Sequence, residues 1–459
     1  RQGDPLSPFL FLICAEGLSS LFRQANSQGL LTGIRVARGA PRLSHLFFAD
    51  DSLILSKANG EEACKLRRIL EVYKEASGQL INMEKSSLMF SGNVSHRQIN
   101  GVMRELQGMR RVVQSKYLGL PLVIGRSNGQ VFYYIRQTTI ARLKGWKEKL
   151  LSTAGEEVLF KAVIMHLPTH VVPACLVQLA LGKEIWTEMA RYWWGQKGDE
   201  NRIHWLSWGK LTEVKAVVGL GFRELHEFNL ALLAKQLWRI LTRPNLLMSK
   251  IMRARYFKGR SIWRTKCAGA DSWCWKSLMQ ARDLLEEGLR KQVGDGKSIY
   301  IWKDRWLPDT EDGKVKTRKG EGVEVQRVCE LIKDGEWDRE LIKQVFDQDE
   351  GRKIVGIPLS LEPRKDRLYW AFSTTGVYTV KSGYSLAKSN VRRGRQGEQE
   401  TGTSCRKGGA TRNWNFLWGL NMKYKLKHFV WKCLQGILPV NAVIKDRCLQ
   451  GDHMCKRCG

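Results

Sequence analysis

Acidic side chains are scarce in this 459-residue chain. Its 45 Asp and Glu stand against 76 Lys and Arg, a formal charge of +31 at pH 7. A surplus of that size, spread along the chain, attracts polyanions and makes their binding salt-dependent. Nucleic acid is the first candidate partner, and an anionic membrane surface the second. Long apolar runs are lacking too. None approaches the ~20 residues that cross a bilayer, and no basic, apolar, small-residue leader opens the chain. No basic amphipathic helix with a clean apolar face stands out, which weakens the membrane alternative. The expectation is a soluble, non-secreted, intracellular protein, with nucleus and cytoplasm both open. The eleven cysteines are odd in number and follow no framework spacing, which fits a reducing compartment. Arg1 is not an initiator Met and Gly459 directly follows a cysteine pair, so both ends read as cut. The length allows roughly two to four domains with real cores.

Against that scarcity, two adjacent carboxylates stand out. In Leu46-Phe47-Phe48-Ala49-Asp50-Asp51-Ser52-Leu53-Ile54-Leu55, apolar strand-forming runs flank a polar step. The pattern predicts a β-hairpin with strands Leu46–Phe48 and Leu53–Leu55 and a turn at Ala49–Asp51. Neighbouring carboxylates repel, so the pair is unfavourable unless a cation lies close. Oxygen-only ligands suit Mg²⁺, and a divalent metal pair would supply that cation. Taken alone, the pair favours the plainer reading of two solvated turn residues.

Upstream, Gly3-Asp4 makes a turn, and Ser7-Pro8 predicts a helix start with Ser7 as N-cap. The run from Phe9 to Phe22 is apolar on more than one face, so this helix is expected to be largely buried. Glu61 to Ser77 predicts an amphipathic helix carrying Leu66, Ile69, Leu70 and Tyr73, capped by Gly78. Leu80-Ile81 is expected to begin a short strand that Lys85 ends. Tyr117 to Leu122 reads as a hairpin, though a simple Gly-Pro turn fits equally well.

From Phe132 to about Ile251 the pattern is helical, over Phe132–Leu151, Glu157–Leu167 and most clearly Asn229–Arg243. The last carries the stripe Leu230, Leu233, Leu237, Ile240 and Leu241, with Pro244 just beyond. Trp193, Trp194, Trp205 and Trp208 are interleaved with Arg191, Lys197, Arg202, His204 and Lys210. Such mixing could stack bases, but large aromatics usually bury, and most of these indoles are expected in the core. Val293–Trp302 predicts a hairpin turning at Asp295-Gly296. Tyr369–Phe372 and Val377–Val380 predict a second, turning at Ser373–Gly376, with a helix near Lys381–Ala387. Gly294-Asp295-Gly296-Lys297 lacks the loop-to-helix pattern of a phosphate cradle and is excluded as one.

Asn390–Asn413 is polar, basic and glycine-rich, as a flexible linker would be. A compact helical unit around Trp414, Trp418, Trp431 and Leu434 follows, with Lys423, Lys425, Lys427 and Lys432 as its basic side. Cys455-x-x-Cys458 is half of a zinc site, because two thiolates on a tight knuckle fill two tetrahedral positions. His453 is crowded against Cys455, and neither it nor Cys448 is expected to complete the site.

Four stretches occur in a telling order: Arg1-Gln2-Gly3-Asp4-Pro5-Leu6-Ser7-Pro8, Phe47-Phe48-Ala49-Asp50-Asp51, Gly78-Gln79-Leu80-Ile81-Asn82-Met83-Glu84-Lys85-Ser86 and Tyr117-Leu118-Gly119-Leu120-Pro121. Together they resemble the reverse transcriptase of plant LINE-type (non-LTR) retrotransposons, from its fingers–palm segment onward. The resemblance runs to the last residue, where the chain is similar to the zinc-binding module that follows the polymerase in those proteins.

The resemblance implies an α+β polymerase fragment. Residues 1–125 would be part of the palm, 126–260 a helical thumb and post-thumb region, and 261–389 a mixed α/β extension. Residues 390–413 would be a flexible basic linker and 414–459 a truncated zinc-binding domain. The implied reaction extends a DNA primer on an RNA template: the primer 3′-hydroxyl attacks the α-phosphate of a deoxynucleoside triphosphate and releases pyrophosphate. Two Mg²⁺ ions would be held by Asp50 and Asp51. The resemblance also places Gln2 and Gly3 against the templating pair and incoming nucleotide, and Leu118 and Gly119 in the primer grip. Lys85 would sit by the triphosphate, where a lysine can neutralise or protonate the leaving group.

Plainer readings explain the same residues: a buried helix start, a turn and a solvated lysine. The family needs a third aspartate on a strand ahead of Arg1, and its remaining zinc ligands follow Gly459. The fragment by itself is therefore expected to be inactive. Where the family commonly has a double glycine, this chain has Val218-Gly219. No carboxylate cluster of the ribonuclease H or endonuclease kind is recognisable. The competing reading is a non-catalytic nucleic-acid-binding remnant of such an element.

Overall fold

A computed structural model describes residues 3–118, 120–122, 129–147, 151–165, 176, 179–195, 203–217, 219–257, 261–310, 312–320, 323–360, 362, 364–399, 414–441 and 443–444. Helices dominate, joined by small two-stranded sheets in an α+β chain. The chain divides into two units, Arg1–Val131 with Arg243–Lys266, and Phe132–Thr242 with Cys267–Gly459.

In the first unit, α1 (Ser7–Ser27) leads to the ribbon β1 (Ile34–Arg35) and β2 (Arg42–Leu43). The hairpin of β3 (His45–Phe48) and β4 (Asp51–Ile54) comes next, then α2 (Gly60–Ser77). β5 (Ser87–Leu88) precedes α3 (His96–Glu105) and lies parallel to β6 (Arg110–Arg111). A last hairpin joins β7 (Lys116–Tyr117) to β8 (Leu120–Pro121). The ends of α2 follow from its sequence. The Asn59 side chain accepts from the Glu62 N–H, and Glu61 and Glu62 lie at the positive end of the helix. Gly78 closes it at φ +69°, a left-handed conformation that a side chain would strain. Ser95 and Gln98 form a capping box on α3. Leu18, Phe22, Leu66, Leu70, Val102 and Leu106 share one core. Glu62, 5% exposed, accepts from Thr32 Oγ1 at 2.7 Å and the Lys57 N–H at 3.1 Å, tying two loops to α2.

Three expectations for this unit are corrected. α1 is not largely buried: Phe9, Leu10, Leu12 and Ile13 are 64, 60, 63 and 68% exposed. Apolar residues ring this helix, and only Leu18, Phe22 and Ala25 on it are buried. Its start also differs, with Leu6 in the N-cap position and Asp4 Oδ1 accepting from the Leu6 N–H at 2.8 Å. No strand covers Leu80–Lys85. Asn82 Oδ1 accepts from the Lys85 N–H at 3.1 Å and bends the segment into a turn, so pairing begins only at Ser87.

In the second unit, α4 (Gly129–Lys147) starts at the boundary, and α5 (Thr153–Leu159) runs into a π-helical turn at Phe160–Ile164. α6 (Leu179–Trp193), α7 (Trp208–Leu211) and α8 (Leu225–Thr242) follow. α9 (Leu247–Met252) belongs to the first unit. Then come α10 (Trp273–Gln280), α11 (Arg282–Gly288), β9 (Leu289–Gln292), and the ribbon β10 (Ile332–Lys333) and β11 (Glu336–Trp337). The chain continues through α12 (Arg339–Val345), α13 (Gln348–Val355), β12 (Arg367–Trp370), α14 (Val380–Gln399), α15 (Trp414–Gly419) and α16 (Tyr424–Leu434).

The predicted stripe of α8 is the centre: Leu233, Leu237 and Ile240 are fully buried, each contributing about 1.5–3 kcal/mol. Helices α10, α11 and α14 pack on it. A second core gathers Val293, Ile301, Trp306, Val328, Ile342 and Ile354.

Both predicted hairpins of this unit are corrected. β9 pairs antiparallel with β12, Leu289 facing Trp370, although the two lie far apart in sequence. Val293–Trp302 instead folds as a loop around the Asp366 carboxylate, which accepts from the N–H groups of Gly294, Gly296 and Ser298 at 2.8, 2.9 and 2.8 Å. The turn at Ser373–Gly376 forms, but Val377–Thr379 makes no strand. Residues 390–399 of the expected linker are helical, as the end of α14. There Asn390 donates to Glu287 Oε2 at 2.6 Å, while Arg392 pairs with Glu213 and Arg393 with Glu287, so the basic residues are held by acids of the same unit. Residues 400–413 lie outside the described residues.

One carboxylate joins α5 to α16. Glu157, 2% exposed, accepts from His428 Nε2 at 2.7 Å, Lys161 Nζ at 2.6 Å, Lys215 Nζ at 2.8 Å and the Tyr424 hydroxyl at 3.1 Å. Burial alone would raise its pKa, but the bonds from His428, Lys161 and Lys215 outweigh that and hold it at about 2. A carboxyl depressed from 4.5 to about 2 gives stability that is present above pH 4.5 and lost as pH falls toward 2. Glu157→Ala is expected to destabilise the unit by about 3–5 kcal/mol in urea unfolding, because the half-buried Lys161 and Lys215 lose their counter-charge and the buried His428 Nε2 and the Tyr424 hydroxyl lose their acceptor. It should also remove this part of the acid transition. A variant as stable and as acid-labile as the parent would contradict the assignment.

Candidate functional site

The hairpin pairs His45 with Ile54, Leu46 with Leu53, Phe47 with Ser52 and Phe48 with Asp51. This is the expected hairpin with a shorter turn: β3 begins one residue earlier than expected, and β4 begins two residues earlier, so that Asp51 lies in the strand. Ala49 takes φ +48° in the turn, a left-handed conformation costing a residue with a side chain roughly 1–2 kcal/mol. Asp50 completes the turn, Asp51 opens β4, and both are exposed.

Among the described residues neither carboxylate has a hydrogen-bond or ion-pair partner. Acids that are buried or half-buried behave otherwise. Glu62, Glu157, Glu350 and Asp366 each take several donors. In a chain with a charge of +31, these two neighbouring acids are left without a cation of their own among the described residues. Their donor chemistry fits a hard divalent ion, since both supply only oxygen. Among the described residues, no group of three or more His, Cys, Asp or Glu is placed to hold a metal. Two carboxylates by themselves would hold one loosely.

The β7–β8 hairpin lies against this site. The Tyr117 hydroxyl donates to the Leu46 carbonyl at 3.4 Å. Burial raises the phenol's pKa, and the Asp51 charge raises it further. Leu118 is 42% exposed and has φ +51°. Gly3 has φ +91° in the exposed turn ahead of α1. Lys85 is exposed in its turn and shares no hydrogen bond or ion pair with Asp50 or Asp51 among the described residues. Gln2 and Gly119 lie outside the described residues, as do Cys448, His453, Cys455 and Cys458. Of the tryptophans, Trp193 is buried and Trp208 stacks on Phe222 at 5.3 Å, both in the core of the second unit; Trp194 and Trp205 are half-buried. Lys197 and Arg202 of the interleaved set lie outside the described residues, as does Val218. A side chain on Gly219 would meet the Glu213 carbonyl oxygen at 2.1 Å, so that turn needs its one glycine.

The contact of Tyr117 with the acidic hairpin was not foreseen. Nothing in the spacing links residues so far apart, and only the hydrophobic start of β3 hints that its backbone is covered. His45 was also passed over, because a lone histidine before an apolar run reads as an ordinary strand residue.

Residues 1–122 match the family model described as reverse transcriptase (RNA-dependent DNA polymerase). Over 351 residues the chain is 26% identical to a putative ribonuclease H protein of Arabidopsis thaliana, covering 74% of this chain and 54% of that protein. It is 37% identical over 146 residues to an uncharacterized mitochondrial protein of the same plant, 32% of this chain and 95% of that protein. A second uncharacterized mitochondrial protein of Arabidopsis thaliana is 62% identical over 52 residues, 11% of this chain and 43% of that one. The chain thus spans about half the length of the first of these relatives. Its opening segment is a reverse transcriptase domain of the retroelement kind, built around the Asp50–Asp51 hairpin. The chain belongs to the same family as the first of these mitochondrial proteins, of which it covers 95%.

The proximity of Asp51 to Tyr117 can be checked directly. Asp51→Asn should lower the Tyr117 phenol pKa toward the ordinary tyrosine range, read by ultraviolet titration against a Tyr117→Phe control. An unchanged Tyr117 titration would show that the two hairpins do not share a field.

Proposed function

We propose that this chain is part of an RNA-directed DNA polymerase of a LINE-type, non-LTR retrotransposon. It would extend a DNA primer on an RNA template with deoxynucleoside triphosphates. The observation that carries the reading is the partnerless pair Asp50 and Asp51 at a hairpin turn, inside the segment that matches the reverse transcriptase family.

Asp50 and Asp51 would hold Mg²⁺, Asp50 from the turn itself and Asp51 from the first position of β4. Bound there, the metal would supply charge stabilisation to the reacting phosphate and the attacking hydroxyl. The protein's own part is placement. The β3–β4 ladder fixes the turn, Tyr117 braces the backbone of β3, and Leu118 and Gly119 would grip the primer strand beside it. Gln2 and Gly3 would meet the templating pair and incoming nucleotide, and Lys85 the triphosphate. The basic surplus would hold the nucleic acid. Cys455 and Cys458 would take half of a zinc site in the C-terminal module, so residues 1–459 should retain zinc only weakly after dialysis.

A second reading, a nucleic-acid-binding remnant without catalysis, has one observation in its favour. The charge of +31 would hold nucleic acid without any part played by the aspartates. Salt and mutation separate the two readings. RNA or single-stranded DNA should bind without sequence preference and lose roughly a thousandfold in affinity between 50 and 200 mM salt, as for about six phosphate contacts. A salt-independent affinity would contradict both. Residues 1–459 alone are expected not to extend a primer. A longer protein that carries the upstream aspartate should do so, and Asp50→Asn should abolish extension while leaving template affinity within about twofold, since Asn keeps the size and turn preference but loses the charge. Extension at the unmutated rate by that variant would overturn the site.

A further inference from the structure

The hairpin that carries Asp50 and Asp51 has only four residues in each strand, and a lone two-stranded hairpin is marginal in water. Its order must come from what it packs on. One face of β3 presents His45 and Phe47, which stack on each other with ring centroids 4.8 Å apart. Both lie on Phe22 of α1, at 5.1 and 6.1 Å. Phe22 is fully buried, so this aromatic group is the floor of the hairpin. Apolar contact is non-directional, however, and would let the ribbon slide or rock on α1.

The directional bonds come from the base. His45 Nε2 lies 3.0 Å from Ser19 Oγ, one turn of α1 before Phe22. His45 Nδ1 lies 2.9 Å from Ser44 Oγ. Ser44 is itself 5% exposed and accepts from Asn26 Nδ2 of the same helix at 2.7 Å. Both ring nitrogens are therefore spent on a network that begins and ends on α1. Arg23 donates to Ser19 Oγ at 3.2 Å and completes it.

We propose that His45 is a positioning residue for the Asp50–Asp51 turn, fastening the base of the hairpin to α1 through Ser19 and Ser44. The proposal rests on the polymerase reading for its consequence, but not for its geometry. At about 3.4 Å per residue the turn lies roughly 17 Å along the strand from His45. A tilt of about 4° at the base would therefore move the carboxylates by on the order of 1 Å, and misplacement of that size can cost about a hundredfold in rate. Helix α1 also follows the Gly3 turn, so the same network sets the distance between the two stretches expected to face the nucleotide.

His45→Phe is the informative variant, because it keeps an aromatic ring on Phe22 and removes both nitrogens. Amide hydrogen exchange of residues 1–459 should show the amides of β3 and β4 exchanging at least tenfold faster, with α2 and α3 unchanged. Ser19→Ala should speed the same amides, and the double variant should add little further. His45→Gln, which keeps a donor and an acceptor, should recover part of the protection. In the longer, extending protein, His45→Phe should lower kcat by about a hundredfold and leave the template Kd unchanged. Unchanged hairpin exchange in His45→Phe would overturn the proposal. So would equal acceleration in α2 and α3, which would make His45 an ordinary core residue. The exchange result does not depend on polymerase activity. A failure of the catalytic reading, seen as extension by Asp50→Asn, is thereby distinguished from a failure of the brace.

Discussion

The tight turn between β3 and β4, which sets Asp50 and Asp51 next to each other in the chain with both in solvent, is the constraint on which the candidate site of the first unit depends. Asp50 and Asp51 sit at one tight turn, exposed and without a protein partner among the described residues. The β3–β4 register, with Phe48 facing Asp51, fixes the backbone on both sides of that turn. The turn itself is strained at Ala49. That strain must be offset by order elsewhere, and the surroundings supply it: the aromatic floor at Phe22, the Tyr117 bond to the Leu46 carbonyl, and the core of α1, α2 and α3. An arrangement that is costly by itself and supported from several sides is what a cation site requires.

The scarce acids serve two purposes that burial separates. Glu62, Glu350 and Asp366 accept from backbone N–H groups and fasten loops, while Glu157 gathers Lys161, Lys215, Tyr424 and His428. Each buried acid organises segments that are distant in sequence. Glu157 draws α16 onto α5, so the helices that end the described chain are packed into the second unit and share its stability.

Local signals were legible and long-range pairings were not. The acidic hairpin, α2 with its Gly78 cap, α8 with its stripe and the turn at Ser373–Gly376 all follow from periodicity and turn chemistry. The pairing of β9 with β12 did not, because Leu289–Gln292 was not expected as a strand and Tyr369–Phe372 looked able to pair with Val377–Val380, while the Asp366 carboxylate holds the Gly294–Ser298 loop in another shape. The exposure of α1 misled for a related reason: composition says how apolar a helix is, not how much of it finds a partner. At the site, the two aspartates stood out from sequence because of the four ordered stretches they belong to; the pair alone favoured two solvated turn residues. His45 and Tyr117 did not, since their roles depend on distances that no spacing encodes.

The central claim is that Asp50 and Asp51 form a divalent-cation site. Titrating residues 1–459 with Mn²⁺ and following paramagnetic broadening of backbone amide signals tests it most directly. The account predicts broadening confined to the residues around the Ala49–Asp50 turn and neighbouring Tyr117, competed by Mg²⁺ and lost in Asp50→Asn. Broadening centred elsewhere, or unchanged in that variant, would contradict it.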